Sequence, residues 1–151
     1  AINLNLMSVI RFTKLAYPLM KENNFGRIIN ILSLLAKEPS ALMVLSATAR
    51  AGVIAYTKSV SYEMAPYGIT INSICPGGVL TNRFQNLLSE RAQTLNININ
   101  DFFKERASTV PLGRFAKPEE IGDLAAFLAS EKSSYITGTS ITADGGQGKS
   151  I

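Results

Sequence analysis

The chain has 151 residues, of which 46% are hydrophobic and 17% charged, with no histidine and one cysteine. This is the composition of one folded globular domain, and it excludes a disordered chain, a collagen-like chain and a disulfide scaffold. A Ser-His-Asp triad and a histidine-containing zinc site are excluded because histidine is absent, and we expect no metal site.

The net charge is +4, and the 15 lysines and arginines are scattered singly between Arg11 and Lys149. A nucleic-acid site needs clustered basic residues, so we expect no nucleic-acid partner. No apolar run approaches the ~20 residues that a membrane helix needs, and the first residues show no signal-peptide pattern. We therefore expect a cytoplasmic protein without a membrane partner.

Apolar side chains recur at helical spacing over residues 2–22, which predicts a helix with a kink at Pro18, since proline removes a backbone donor. Residues 23–26 (Asn-Asn-Phe-Gly) end this helix. Residues 27–32 form a short aliphatic run that is typical of a buried strand.

A second continuous apolar helix face runs over residues 44–64 and is ended by Pro66 and Gly68. Residues 69–75 then predict a second strand, which stops at the turn 76–78 (Pro-Gly-Gly). The alternation of helix and strand indicates crossover connections between parallel strands.

Residues 79–117 are polar and uneven, with two short helices predicted near 83–93 and 100–108. A segment of this length between core elements is typical of a substrate lid. A helix begins at Pro118, because proline is favoured at the first helical position. Residues 137–143 predict a third strand.

This order of elements predicts an α/β fold with a parallel sheet and helices on both faces. Three strands are few for such a sheet, and an uncovered apolar edge at the first strand would promote aggregation. We therefore interpret residues 1–151 as the second half of a Rossmann-like, doubly wound sheet. The N-terminal, cofactor-binding half of that domain would lie outside this chain.

A series of segments resembles the short-chain dehydrogenases/reductases and, within them, the β-ketoacyl carrier-protein reductases. The resemblance covers essentially the whole chain in order. Its segments are Asn5-Leu6, Gly26 to Ser33, Ala51 to Val53, Ala65 to Asn72, Pro76-Gly77, Pro111 to Arg114, Pro118 to Glu120, Ile136 to Gly138 and Asp144 to Gly146.

The resemblance implies a catalytic tetrad of Asn, Ser, Tyr and Lys, in which the Tyr hydroxyl protonates the substrate carbonyl and the Lys lowers its pKa. Asn5 and Ser33 match the first two members. The Tyr position is occupied by Ser46 and the Lys position by Arg50. The chain resembles a subgroup of the family in which the tetrad is imperfect.

The replacement alters the chemistry, because a serine hydroxyl is a far weaker acid than a phenol. Ser46 and Arg50 either keep a catalytic role or form a polar helix face at the edge of the pocket. Delivery of the proton through Ser33, a water molecule or Tyr56 is an open alternative.

The resemblance also implies a nicotinamide cofactor, NAD or NADP. The cofactor-binding residues that it implies in this chain are Asn30, Arg50, Pro76, Gly77, Val79 and Thr81. The glycine cluster 145–148 follows the last strand and opens no helix, so it is no dinucleotide fingerprint.

The leading hypothesis is an oxidoreductase that moves hydride between NAD(P)H and a small-molecule or acyl substrate, as 3-oxoacyl reductases do. The alternatives are a catalytically silent family member that acts as a binding or assembly module, and cofactor-independent chemistry. The resemblance further implies a homo-oligomer, a tetramer or dimer, in which the helices 2–22 and 44–64 pair between subunits.

Overall fold

A computed structural model describes residues 1–150. Its sheet consists of β1 (Gly26–Ile31), β2 (Ile69–Pro76) and β3 (Ser140–Ala143), in the order β1-β2-β3. Both neighbouring pairs are parallel, with Ile28 opposite Ile71 and Ser73 opposite Ser140. The predicted parallel α/β architecture is confirmed.

The described residues form five α-helices. They are α1 (Ser8–Glu22), α2 (Val44–Met64), α3 (Asn82–Thr94), α4 (Ile99–Ser108) and α5 (Pro118–Ala129). Helices α1 and α2 pack together on one face of the sheet, and α5 packs against β1 and β2 on the other. Within residues 1–150, no helix combines the length and apolar character needed to cross a bilayer.

The first predicted helix is present, but it opens with a π-helical turn over Asn3–Met7 before α1 begins. Pro18 lies inside α1, and the helix ends at the predicted Asn-Asn-Phe-Gly segment. Helix α2 has the predicted bounds, because Pro66 and the left-handed Gly68 (φ 65°) prevent it from continuing.

Strand β2 is buried along its whole length and forms the centre of the core. Ile69, Ile71 and Ile74 are inaccessible to solvent. Gly26, at the start of β1, allows α1 to approach this core closely. A Cβ at Gly26 would lie 2.6 Å from the Met20 Sδ atom and 2.9 Å from the Ile69 Cγ2 atom, so a larger residue there would displace these side chains.

The last strand is shorter than the predicted 137–143. Gly138 has a φ of 67°, which an extended strand cannot contain. Its backbone N–H still donates to the Ile71 carbonyl oxygen at 2.8 Å, and Thr139 accepts from Ser73. The segment before β3 is therefore held against β2 without strand geometry.

Helices α3 and α4 form a hairpin over the carboxyl end of the sheet and enclose a second small core. Phe115 packs edge-to-face against Phe84 and Phe103, with centroid separations of 5.0 and 5.2 Å. Leu88 and Phe102 complete this cluster. The two short helices expected within 79–117 are present.

Candidate active site

A cleft of about 900 Å³ opens at the carboxyl ends of β1 and β2. Its walls come from residues 33–43, which follow β1, from the turn 76–78, and from the α3–α4 hairpin. Parallel α/β sheets bind their ligands at this edge. Ser33, Pro76 and Gly77 line the cleft, and the other predicted site residues lie outside its lining.

Ser33 lies two residues beyond the end of β1, in an extended conformation that ends the strand and starts a short 3-10 turn. Its Oγ atom accepts the backbone N–H of Leu35 at 3.2 Å. Because the oxygen accepts in this bond, the hydroxyl hydrogen remains available to a ligand in the cleft.

Ser46 and Arg50 lie one turn apart on α2, and their side chains are in contact. The Arg50 Nη1 atom donates to the Ser46 Oγ atom and, at 3.3 Å, to the Ser46 carbonyl oxygen. The guanidinium keeps a positive charge where the lysine of the resembled family would stand. The Ser46 oxygen is thereby engaged as an acceptor.

The two predicted asparagines lie apart from each other. Asn5 is half-buried in the π-helical turn that packs against α2. Asn30 is buried in β1, and its Nδ2 atom donates to the Thr57 Oγ1 atom on α2 at 3.2 Å. Thr57 is in turn 3.2 Å from the Ser73 Oγ atom on β2. Asn30 therefore joins the sheet to α2.

The turn after β2 is packed tightly. A Cβ at Gly77 would lie 2.9 Å from the Asp144 Cβ atom and 3.1 Å from the Gln147 Oε1 atom, so only glycine fits. Val79 forms an isolated parallel bridge with Ala116. The Thr81 Oγ1 atom accepts the Phe84 N–H at 3.2 Å and caps α3.

Tyr56 stands on α2 beside Thr13 of α1, outside the lining of the cleft. Partial burial raises the pKa of its phenol above the usual value, although the contact with Thr13 opposes this. A phenol with a raised pKa is a poorer acid, so the structure does not favour Tyr56 as the proton donor.

Sequence reasoning missed the contacts of Lys37 and Glu38. The Lys37 Nζ atom donates to the Thr142 Oγ1 atom on β3 at 2.9 Å. The Glu38 carboxylate lines the cleft and accepts the backbone N–H groups of Lys149 and Ser150. These hydrogen bonds, that from Ser150 foremost, lower the pKa of Glu38. No local pattern signals contacts between segments more than 100 residues apart.

The part of the lining formed by Ser33, Pro76 and Gly77 suits the reactive end of a nicotinamide cofactor. Ser33 offers a hydroxyl, and the backbone of Pro76 and Gly77 borders the same space. Within residues 1–150, no turn between a strand and a helix has the G-x-G-x-x-G spacing typical of dinucleotide phosphate binding. Nor is any cluster of Cys, Asp and Glu in that range arranged to hold a metal ion.

The chain is similar to known reductases in sequence. A family model described as enoyl-(acyl carrier protein) reductase matches residues 1–147. The NADPH-dependent reductase BacG of Bacillus subtilis is 44% identical over 138 residues, which are 91% of this chain and 53% of that protein. The 3-oxoacyl-[acyl-carrier-protein] reductase FabG of Rickettsia felis is 33% identical over 145 residues, 96% of this chain and 56% of that protein.

Among solved structures, that of YwfH, an NADPH-dependent reductase involved in bacilysin biosynthesis, superposes with a TM-score of 0.89 and 41% identity. The match covers 96% of this chain and 56% of that structure. The chain thus spans about half the length of the relatives that it matches.

Proposed function

The chain belongs to the short-chain dehydrogenase/reductase family, and from this premise we propose that it forms the carbonyl-binding half of an NAD(P)H-dependent reductase. The proposed substrates are small-molecule or acyl carbonyl compounds of the 3-oxoacyl type. The observation that carries the proposal is Ser33, which lines the cleft at the end of β1 with its hydroxyl hydrogen available.

Reduction of a carbonyl adds a hydride to carbon and a proton to oxygen. The nicotinamide cofactor, when bound, supplies the hydride. Ser33 donates a hydrogen bond to the carbonyl oxygen and stabilises the negative charge that develops there. Pro76 and Gly77 border the site where the reacting groups meet.

The proton reaches the oxygen through Ser33 from water. Ser46 serves this step poorly because it lies outside the lining of the cleft, whereas Ser33 lies within it. Arg50 acts instead as a fixed positive charge that contacts the cofactor ribose. Asn5 orders water near the site, and Asn30, Val79 and Thr81 hold the elements that border the nicotinamide.

We assign residues 1–151 to the C-terminal, catalytic and oligomerising part of one Rossmann-like domain, with residues 79–117 as the substrate lid. The relatives are nearly twice as long as this chain. Ile31, at the outer strand β1, is 54% exposed, as expected for a strand that another part of the sheet covers. That part would bind the phosphates of NAD or NADP.

The proposed reductase assembles as a homo-oligomer in the cytoplasm. Helix α1 exposes Phe12, Leu15 and Leu19, which are 73%, 72% and 65% accessible and share one helix face. Ala51 and Ala55 are exposed on α2 and allow close approach of a second helix. Exposed apolar helix faces of this kind are typical of subunit contacts.

The test is to add NADH or NADPH to the full-length protein and to measure cofactor binding and the oxidation of cofactor with a 3-oxoacyl compound, supplied both as the free acid and as a thioester. We expect both. The double variant Ser46→Tyr, Arg50→Lys restores the family's acid, and we expect it to turn over faster. Cofactor binding without turnover, unchanged in this variant, would contradict the proposal.

A catalytically silent binding or assembly module is the second candidate. The bond from Arg50 to Ser46 favours it, since it joins the two replaced residues to each other. Cofactor binding without turnover would support this role. Absence of cofactor binding would instead support cofactor-independent chemistry.

A further inference from the structure

Two arginine residues line the cleft from its lid side. Arg91 on α3 and Arg106 on α4 both border the same space as Ser33. Neither has a carboxylate within 4 Å among residues 1–150, where the one ion pair joins Arg114 and Glu120. Both arginines are therefore free of ion pairs within the described chain.

The lining of the cleft also includes exposed apolar side chains. Leu42 and Met43, on the segment after β1, are 89% and 47% exposed, and Leu87 on α3 is 59% exposed. All three line the cleft. An apolar ligand that covered these side chains would gain the free energy of removing them from water.

The lining also contains two acidic residues, Glu38 and Glu90, which equal the two arginines in number. Glu38 already accepts two backbone N–H groups, which lower the pKa of its carboxyl and stabilise its charge. Glu90 immediately precedes Arg91 on α3. Its carboxylate accepts no hydrogen bond from a residue of the described chain. Glu90 is thus the acidic residue positioned to oppose an anionic ligand.

We propose that the substrate is an oxo acid, a carbonyl compound with an apolar body and a free carboxylate that Arg91 and Arg106 bind. This inference rests on the proposed reductase function and deepens it by naming the substrate class. The carbonyl lies at Ser33, and the apolar body covers Leu42, Met43 and Leu87.

Arginine suits this role because its planar guanidinium binds a carboxylate through two parallel hydrogen bonds, each assisted by charge. Both arginines lie on the α3–α4 hairpin, whereas Ser33 lies on the sheet side of the cleft. A substrate that bridges the two would be selected for its carboxylate as well as its carbonyl.

The experiment uses the full-length protein, NADPH, and two probes, freshly prepared 3-oxooctanoate and its methyl ester. We expect Arg91→Met and Arg106→Met each to reduce the preference in kcat/KM for the acid over the ester by about ten-fold, as for one lost charge-assisted hydrogen bond. The matched controls are Arg83→Met and Lys104→Met. They remove exposed charges of the same hairpin that do not line the cleft, and we expect them to change this preference by less than about two-fold.

Glu90→Gln supplies a change of opposite sign. It removes the negative charge beside Arg91, so we expect it to increase the preference for the acid. Equal effects of the cleft and control variants, or a preference for the ester in the unchanged protein, would overturn the proposal.

Calorimetry with 3-hydroxyoctanoate in the absence of cofactor separates this inference from the reductase function. We expect binding that both cleft variants weaken about ten-fold. Binding of this kind without any carbonyl reduction would refute the reductase and support the oxo-acid site. Reduction of the ester without arginine-dependent binding of 3-hydroxyoctanoate would support the reductase function and refute the oxo-acid site. Circular dichroism establishes that each variant is folded.

Discussion

The Arg114 guanidinium and the Glu120 carboxylate form a two-point ion pair, with both Nη–Oε distances at 2.7 Å. The Glu120 Oε2 atom also accepts the Lys117 backbone N–H at 2.8 Å, and the Arg114 Nη1 atom donates to the Phe115 carbonyl oxygen. The pair therefore joins the end of the lid to the first turn of α5.

The first prediction concerns the pH dependence of this pair. The contact with Arg114, foremost among its causes, lowers the pKa of Glu120 from 4.5 to about 2. A lowered folded-state pKa contributes stability above the unfolded value, and this stability is lost as the pH falls from about 4.5 towards 2. We expect Arg114→Gln to lower the thermal unfolding midpoint at pH 7. The difference in midpoint between this variant and the unchanged protein should shrink as the pH falls from about 4.5 towards 2.

Thermal unfolding followed by circular dichroism between pH 7 and pH 2.5 measures this effect. Glu119→Gln is the matched control, because Glu119 is an exposed neighbour outside the ion pair. If the difference in unfolding midpoint between Arg114→Gln and the unchanged protein stays constant down to pH 2.5, the ion pair does not make the stability depend on pH in the expected way.

The second prediction concerns the hydroxyl of Ser33. We expect Ser33→Ala to lower kcat for carbonyl reduction by about a hundred-fold, the effect of removing one donor to a developing oxyanion. Ser40→Ala is the control, because Ser40 also lines the cleft and caps a 3-10 turn through its oxygen. Steady-state kinetics measure both variants, and equal losses would show that turn geometry rather than hydrogen-bond donation matters.

The third prediction concerns the buried chain of hydrogen bonds from Asn30 through Thr57 to Ser73. Thr57→Val leaves polar atoms of both neighbours without this partner, and we expect a loss of about 1–3 kcal/mol in the free energy of unfolding. Urea denaturation measures it. Thr48→Val, at an exposed position of the same helix, should change the stability little; similar losses in both variants would indicate a general effect on helix propensity.

The fourth prediction concerns the exposed face of α1. If it forms the subunit contact, Leu15→Glu will reduce the oligomer to smaller species, because a charge at a buried interface lacks a partner. Light scattering coupled to size-exclusion chromatography measures the mass. Lys14→Glu introduces the same residue one position away and tests whether charge alone is responsible. If the mass of the Leu15→Glu variant is unchanged, the exposed face of α1 does not form the subunit contact.

The sequence predicted most elements because their limits depend on local chemistry. Helix α2 ends where Pro66 and Gly68 prevent continuation, and α3 and α4 appear within a residue or two of their predicted bounds. The start of β3 was wrong because Gly138 adopts a left-handed backbone in response to β2, a partner distant in sequence.

The site could be predicted only in part for the same reason. The contact of Ser46 with Arg50 follows from their separation of four residues on one helix. The contacts of Lys37 with β3 and of Arg91 and Arg106 with the cleft depend on how the chain folds back over the sheet. Residue spacing carries no information about such contacts.

The hydrogen bonds from residues 149 and 150 to Glu38 limit which substitutions these two positions can accept. The main donors are the backbone amides of Lys149 and Ser150, and the Ser150 side chain adds a further hydrogen bond, so the identity of Lys149 matters little to this contact. Proline alone among the usual residues lacks that amide hydrogen. We therefore expect position 149 to accept most substitutions without loss of this contact, whereas proline at either position would remove a donor to Glu38.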